Sequence, residues 1–238
     1  FLALPKSLNF DFYLEAMQKM DFGTALKNSL ILTVASCLCI IVLSSMCAWM
    51  LVRNPHRFSR FMYAFFVAVM LVPFQTLMMP LMQEMGWIHK ITGMQMRNTL
   101  GGMVFMYVGF GAPMAVFLFH GFVKSIPVSL EEAAVIDGCG KWSTFWRIVF
   151  PLLKPTTMTV AIIDVIWIWN DYLLPALSLT SQKTRTIPLA SYAFFGDFKV
   201  EWTLAMAALT LTIIPVVVFY LAAQKYIVKG VAAGAVKG

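Results

Sequence analysis

Charge is what this sequence has least of. Asp, Glu, Lys and Arg make up 12% of its 238 residues, against about 25% in an ordinary soluble domain. Hydrophobic residues make up 60%, and the mean hydropathy is +0.79. A soluble fold is excluded unless several long apolar runs all have another explanation. Cysteine is also scarce. Cys37, Cys39, Cys47 and Cys139 form no C-x-x-C pair, so neither a zinc site nor a disulfide framework is expected, and all four read as small apolar fillers. His56, His89 and His120 are far apart and give no H-x-x-x-H spacing, so no metal centre is expected. Nucleotide chemistry lacks its residues too. A phosphate loop ending at Lys141 needs glycine at 135 and a hydroxyl at 142, where Val135 and Trp142 stand. No G-x-S-x-G nucleophile appears, and no catalytic residue is assigned. The methionine-rich MMPLMQEMGW at 78–87 reads as adaptable apolar packing rather than a copper site.

What remains is apolar length. A helix crosses the hydrocarbon core with about 20 residues, and five stretches qualify: 28–52, 61–83, 98–123, 156–181 and 204–224. Helices satisfy their own backbone in lipid, so an all-α membrane protein is expected, one domain over 1–238. Pro73 and Pro80 lie in the second stretch, Pro215 in the fifth. Gly101, Gly102, Gly109 and Gly111 with Pro113 predict a kinked third span with close neighbours.

The loops set an orientation. RNPHRFSR at 53–60 holds three arginines and no acid, which marks the cytoplasmic side. Alternation then places 125–155 and the C-terminal tail in the cytoplasm, and 1–27, 84–97 and 182–203 outside. Ten of the 18 basic residues fall inside, a slight bias. The net charge of +7 is read as loop lysine and arginine, not as a nucleic-acid footprint. An external start without a signal peptide predicts a further N-terminal span preceding Phe1, giving six in all. NFDFYLEAMQKM has two readings: a brief amphipathic helix near the membrane surface, or a simple connector.

Residues 131–155, EEAAVIDGCGKWSTFWRIVFPLLKP, are the one polar stretch in the middle of the chain. Ser129 precedes Glu132 by three residues, which predicts a capping box. Gly138 suits the left-handed residue that ends a helix. A second helix is expected from Lys141 to Phe150, stopping before Pro151. A first helix this short is marginal alone and needs something to pack on: another protein, or the lipid surface.

Carboxylates inside a span are costly and face protein or water. Asp164, Trp167, Ile168, Asp171 and Pro175 recur at helical spacing, with Asn170 and Tyr172 beside Asp171. Two readings stand: a translocation path or gate formed by Asp164, Trp167, Asn170 and Asp171, or hydrogen bonding between helices. A secondary transporter or an intramembrane enzyme also uses membrane carboxylates.

Glu132-Ala133-Ala134, three residues, Gly138, nine residues, Ile148-Val149-Phe150-Pro151 resembles the EAA motif of permease subunits in binding-protein-dependent ABC importers. It departs in Phe150, where leucine is usual, and in Cys139, where another small residue is commoner. SIPVSLEEAAVIDG, WNDYLLPAL and VKGVAAGAVKG extend the resemblance to carbohydrate-type permeases, most closely the smaller permease of maltose-type transporters. The resemblance implies a type I ABC importer-like fold in a bacterial or archaeal cytoplasmic (inner) membrane. It implies that Glu131, Glu132, Ala133, Ala134, Asp137, Gly138, Ile148 and Pro151 form the coupling element, with Glu132 meeting an arginine of an ATPase. It implies a homologous second permease, two ATPase subunits holding ATP and magnesium, an external sugar-binding protein, and a lipid setting, with no cofactor in this chain. The loop 182–202 would touch the binding protein, and the tail with Gly230, Gly234 and Lys237 would reach the ATPase. An importer of a non-sugar solute is the nearest alternative.

Overall fold

The computed structural model describes residues 10–195 and 201–235, with side chains to Leu221. The described chain is helical apart from short connections. Helix α1 (Asp11–Lys19) precedes α2 (Phe22–Arg53), the long helix at the centre of the fold. Then follow α3 (Arg57–Val69), α4 (Phe74–Thr92) and α5 (Leu100–Val123). The polar middle gives α6 (Val128–Ile136), α7 (Lys141–Thr144), a π turn (Phe145–Val149) and α8 (Phe150–Leu152). Helices α9 (Lys154–Asn170), α10 (Leu173–Ser178), α11 (Ile187–Ser191) and α12 (Trp202–Ala235) complete the chain.

Helix α2 packs along α5 and also against α9. Its inward face repeats every three to four residues and mixes Leu32, Ile40 and Ile41 with small or hydroxylic residues, of which Ser36, Ser44, Ser45 and Ala48 are nearly inaccessible. Small residues let membrane helices approach closely. Gly111 of α5 uses that closeness: a Cβ there would lie 2.5 Å from Ile40 Cδ1 and 3.6 Å from Asp164 Oδ1. Gly102 is likewise pressed under the Met96 carbonyl, whereas Gly101 and Gly109 have open space. Asn54 and Pro55 stop α2, since the residue before proline disfavours the helical region.

At the Phe22 end a second cluster forms around Ala16, Trp169, Ile187 and Ala205. Of the two readings of the N-terminal segment the helix is the one that forms: it is α1, which packs on α12. Lys19 bridges Glu15 at 3.0 Å and Glu201 at 3.3 Å, and these hydrogen bonds raise its ammonium above the ordinary lysine value. The loop after α10 is tied to α2. Asn28 Nδ2 donates to the carbonyls of Lys183 and Arg185, each at 2.9 Å, and Ser29 Oγ accepts from the Ile187 N–H at 2.9 Å.

Several expectations are corrected. The stretch 61–83 is not one helix: α3 and α4 meet at 109°. Pro73 stands at the break in extended conformation and cannot donate to the turn before it. The stretch 156–181 is broken at Asp171, whose backbone is extended and whose Oδ1 accepts from the Leu173 N–H at 3.0 Å. Such a local side-chain bond competes with helix continuation. The helix from Lys141 does not stop before Pro151. It runs on to Leu152 and meets α9 at 75°. The π turn just ahead of Pro151, with the Phe150 N–H reaching the Phe145 carbonyl, accommodates the ring. The capping box is absent: Pro127 is the N-cap, no side chain caps the helix, and Ser129 lies inside its first turn. The small C-terminal tail continues α12 as helix through Ala235, including Gly230 and Gly234. Lys237 lies outside the described residues, as do residues 1–9 and the 196–200 part of the loop 182–202.

Candidate functional site

Helix α6 is held onto the Arg53 end of α2 by one carboxylate. Glu131 Oε1 accepts from Arg53 Nε at 2.8 Å, with Arg53 Nη2 also 2.8 Å away, and Glu131 Oε2 accepts from Trp49 Nε1 at 2.9 Å. Arg53 Nη2 also donates to the Ile126 carbonyl at 2.9 Å. The pair is largely buried, its side chains 17% and 11% exposed. Both carboxylate oxygens are satisfied, and charge-assisted bonds of this length are among the stronger ones. The Trp49 ring rests against Phe145 at 5.4 Å, joining the latch to the aromatic cluster of Phe145, Trp146 and Phe150.

The latch fixes which face of α6 is presented. Glu131 and Ala134 turn inward, while Glu132, Ala133, Val135, Ile136, Asp137 and Gly138 are exposed. Ile136 is 86% exposed and its neighbour Val135 61%, and a contiguous exposed apolar patch marks an interaction surface where a single exposed residue does not. An open groove of about 620 Å³ runs beside this face, lined by Met50, Arg53, Glu132, Ile136 and Lys141 among others.

The helix ends as the sequence expects. Gly138 has φ +83°. Its N–H donates to the Val135 carbonyl at 3.0 Å, and the Cys139 N–H donates to the Ala134 carbonyl at 2.9 Å. These two bonds are the Schellman pattern, and they require a left-handed residue at 138. Downstream, Ile148 is half-buried and Pro151 exposed, and the chain turns at Leu153 into α9.

Of the four residues expected to share a translocation face, Trp167 and Asp171 meet at Tyr107, while Asp164 and Asn170 stand apart from them. Asp164 is 4% exposed, in the seam between α2, α5 and α9. Asp171 acts as a cap on α10, and its Oδ2 accepts from the Tyr107 hydroxyl at 3.0 Å. Asn170 Nδ2 donates back to the Ile166 carbonyl at 2.7 Å. Trp167 faces a groove. It stands edge-on to Tyr107 with ring centroids 5.5 Å apart, beside Met70, Phe74, Phe110 and Met114 in an opening of about 290 Å³. The helical spacing fails beyond Asn170 because Asp171 ends the helix before Pro175. Sequence reasoning missed Arg53 and Trp49 as parts of the site. Their signal was an arginine at the end of an uncharged 25-residue run and a second glutamate beside Glu132.

Residues 40–233 match the model of the binding-protein-dependent transport system inner membrane component. The chain belongs to that family. This permease is a multi-pass inner-membrane transport subunit of an ABC importer, not an enzyme, and works with a partner permease, ATPase and binding protein. It is 47% identical over 99% of its length to a probable starch degradation products transport system permease protein, AmyC, of Thermoanaerobacterium thermosulfurigenes, covering 84% of that protein. It is 37% identical over 98% of its length to the melibiose/raffinose/stachyose import permease protein MelC of Bacillus subtilis (strain 168), covering 83% of it. In fold the permease resembles a subunit of a bacterial transporter importing the acidic polysaccharide alginate, with TM-score 0.78, 21% identity, and coverage of 94% of this chain and 81% of that one. It also resembles the MetNI methionine transporter, with TM-score 0.63, 17% identity, and coverage of 91% and 98%.

Proposed function

We propose that this permease forms part of the path for a sugar or oligosaccharide, and that α6 docks on an ATPase subunit and passes its motion to α2. The observation that carries the reading is the latched α6. An exposed strip from Glu132 to Gly138 is backed by a buried charge pair on the central helix, so displacement of α6 displaces α2 with it. Glu132 is the acid free to meet an arginine of the ATPase; Glu131 serves within the permease. The starch- and melibiose-type names of two relatives support a carbohydrate substrate. Trp167 in its aromatic groove suits an apolar sugar face, and it is the path residue that the exposure pattern favours.

In this reading the Arg53 end, α6 and the C-terminus are cytoplasmic. A homologous second permease and two ATPase subunits holding ATP and magnesium complete the assembly, and an external binding protein delivers the sugar. The end of α12, with Gly230 and Gly234, extends toward the ATPases, and Lys237 of the tail is assigned to the same contact. The test is reconstitution of the whole assembly in proteoliposomes. ATP hydrolysis is expected to rise when the sugar-loaded binding protein is added, and to be absent from the purified permease alone. Hydrolysis by this chain alone, or stimulation by a loaded amino-acid-binding protein instead, would sink the reading.

A further inference from the structure

At the Phe22 end, the last turn of α4, residues 95–98, Ser178 at the end of α10 and Thr180 line an open cavity of about 410 Å³. Its wall is a built structure. Asn98 is one of two non-glycine residues with positive φ among those described, at +58°. Its N–H donates to the Ser178 carbonyl at 2.8 Å. Its Oδ1 accepts from the N–H groups of Thr180 at 3.1 Å and Ser181 at 2.9 Å, and from the Thr184 hydroxyl at 2.9 Å. That hub fastens the 178–184 segment to the start of α5. It consumes the side-chain oxygen and leaves the Nδ2 donor of Asn98 without a partner among the described residues.

The rest of the lining is donor-rich. His89, Lys90 and Arg97 are exposed at the cavity, Gln95 adds an amide, and no Asp or Glu lines it. Neither Lys90 nor Arg97 has an ion-pair partner among the described residues. Cations in the last turn of α4 offset the helix dipole, which accounts for His89 and Lys90. It does not account for Arg97, which lies past the end of that helix. A guanidinium, an ammonium and a free amide around an acid-free hollow match a carboxylate.

We propose that this cavity receives a carboxylate side chain of the extracytoplasmic binding protein. The proposal rests on the reading above, in which this face is external. Charged contacts at the rim of such an interface act through encounter rate and salt dependence.

The experiment uses the complete transporter in proteoliposomes and reads the binding-protein concentration giving half-maximal ATPase stimulation. For Lys90→Glu/Arg97→Glu that concentration is expected to rise about tenfold at low salt, with the gap closing at high salt. Arg97→Gln is expected to give a smaller rise in the same direction. Restoration of the double variant by an acid-to-lysine change on the binding protein would identify the carboxylate. An unchanged half-maximal concentration at low salt overturns the proposal. So does a shift found with phosphatidylglycerol vesicles but missing with phosphatidylcholine, because the occupant would then be a lipid phosphate. A wild-type transporter that no binding protein stimulates overturns the underlying functional reading, and this proposal falls with it.

Discussion

Arg53→Glu is expected to lower binding-protein-driven transport at least about a hundredfold, and Glu131→Arg in the same chain to restore a substantial part of it. The physical reason is the exposure of the pair, 17% and 11%. Removing one member of a buried pair costs about 3–5 kcal/mol, because the other charge is left unpaired. The residual exposure here favours the lower end, and about 3 kcal/mol is roughly two decades in the population of correctly placed α6. Arg53→Glu does worse than remove a partner, since it sets two carboxylates against each other. The swap recreates the attraction but not everything else. Arginine at 131 cannot accept from Trp49, and glutamate at 53 cannot donate to the Ile126 carbonyl. Recovery is therefore partial. The informative measurement is the ratio of transport to ATP hydrolysis in the assembled transporter. A latch lowers that ratio in the single variants and raises it in the swap. Wild-type coupling in Arg53→Glu would remove the latch from the mechanism.

The second large effect belongs to Gly138. Nothing lies within 4 Å of a Cβ built there, so space is not what demands glycine. The backbone is: φ is +83°. An ordinary L-residue in the left-handed region costs about 1–2 kcal/mol, and a β-branched one stands at the unfavourable end. A nine-residue helix has little to spare. Gly138→Val is expected to unwind the last turn of α6 and cut coupled transport about tenfold, with the chain still inserted. The order of variants is the sharper test. Asparagine tolerates this conformation best, alanine less, and valine least. Transport should therefore fall from Gly138→Asn to Gly138→Ala to Gly138→Val. An order following side-chain volume alone would point to a steric contact with the ATPase instead.

What could be read from the sequence was local. Gly138 announced the end of α6 because the left-handed position lies next to the helix it closes. The EAA spacing marked out the proposed docking strip because helix, turn and helix are contiguous. The latch was not legible, since Arg53 and Glu131 are 78 residues apart and either alone reads as a loop charge. The prolines show the other limit. Pro80, Pro113 and Pro215 sit inside helices, while Pro73 marks a break. An apolar run does not tell these cases apart, because neighbouring helices decide whether the freed carbonyl finds a partner. Asp171 misled for a related reason. Helical spacing carried it onto the face of Asp164, but its own side chain bonds the Leu173 N–H and ends the helix there. The capping box failed because Pro127 is already the N-cap, two residues too early for Ser129 to be one.

The most direct test of α6 as the docking element is a cross-link from its exposed face. Ile136 is replaced by cysteine in a chain whose four native cysteines are changed to serine or alanine, the cysteine is alkylated with benzophenone maleimide before assembly, and the assembled transporter is irradiated so that the benzophenone inserts into a C–H bond of whatever lies beside it. Docking predicts a covalent product with the ATPase subunit from position 136, and none from a cysteine at Val34, which is exposed in the middle of α2. Free labelling of position 136 by a soluble maleimide in the assembled transporter, with no product joining it to the ATPase, would contradict it.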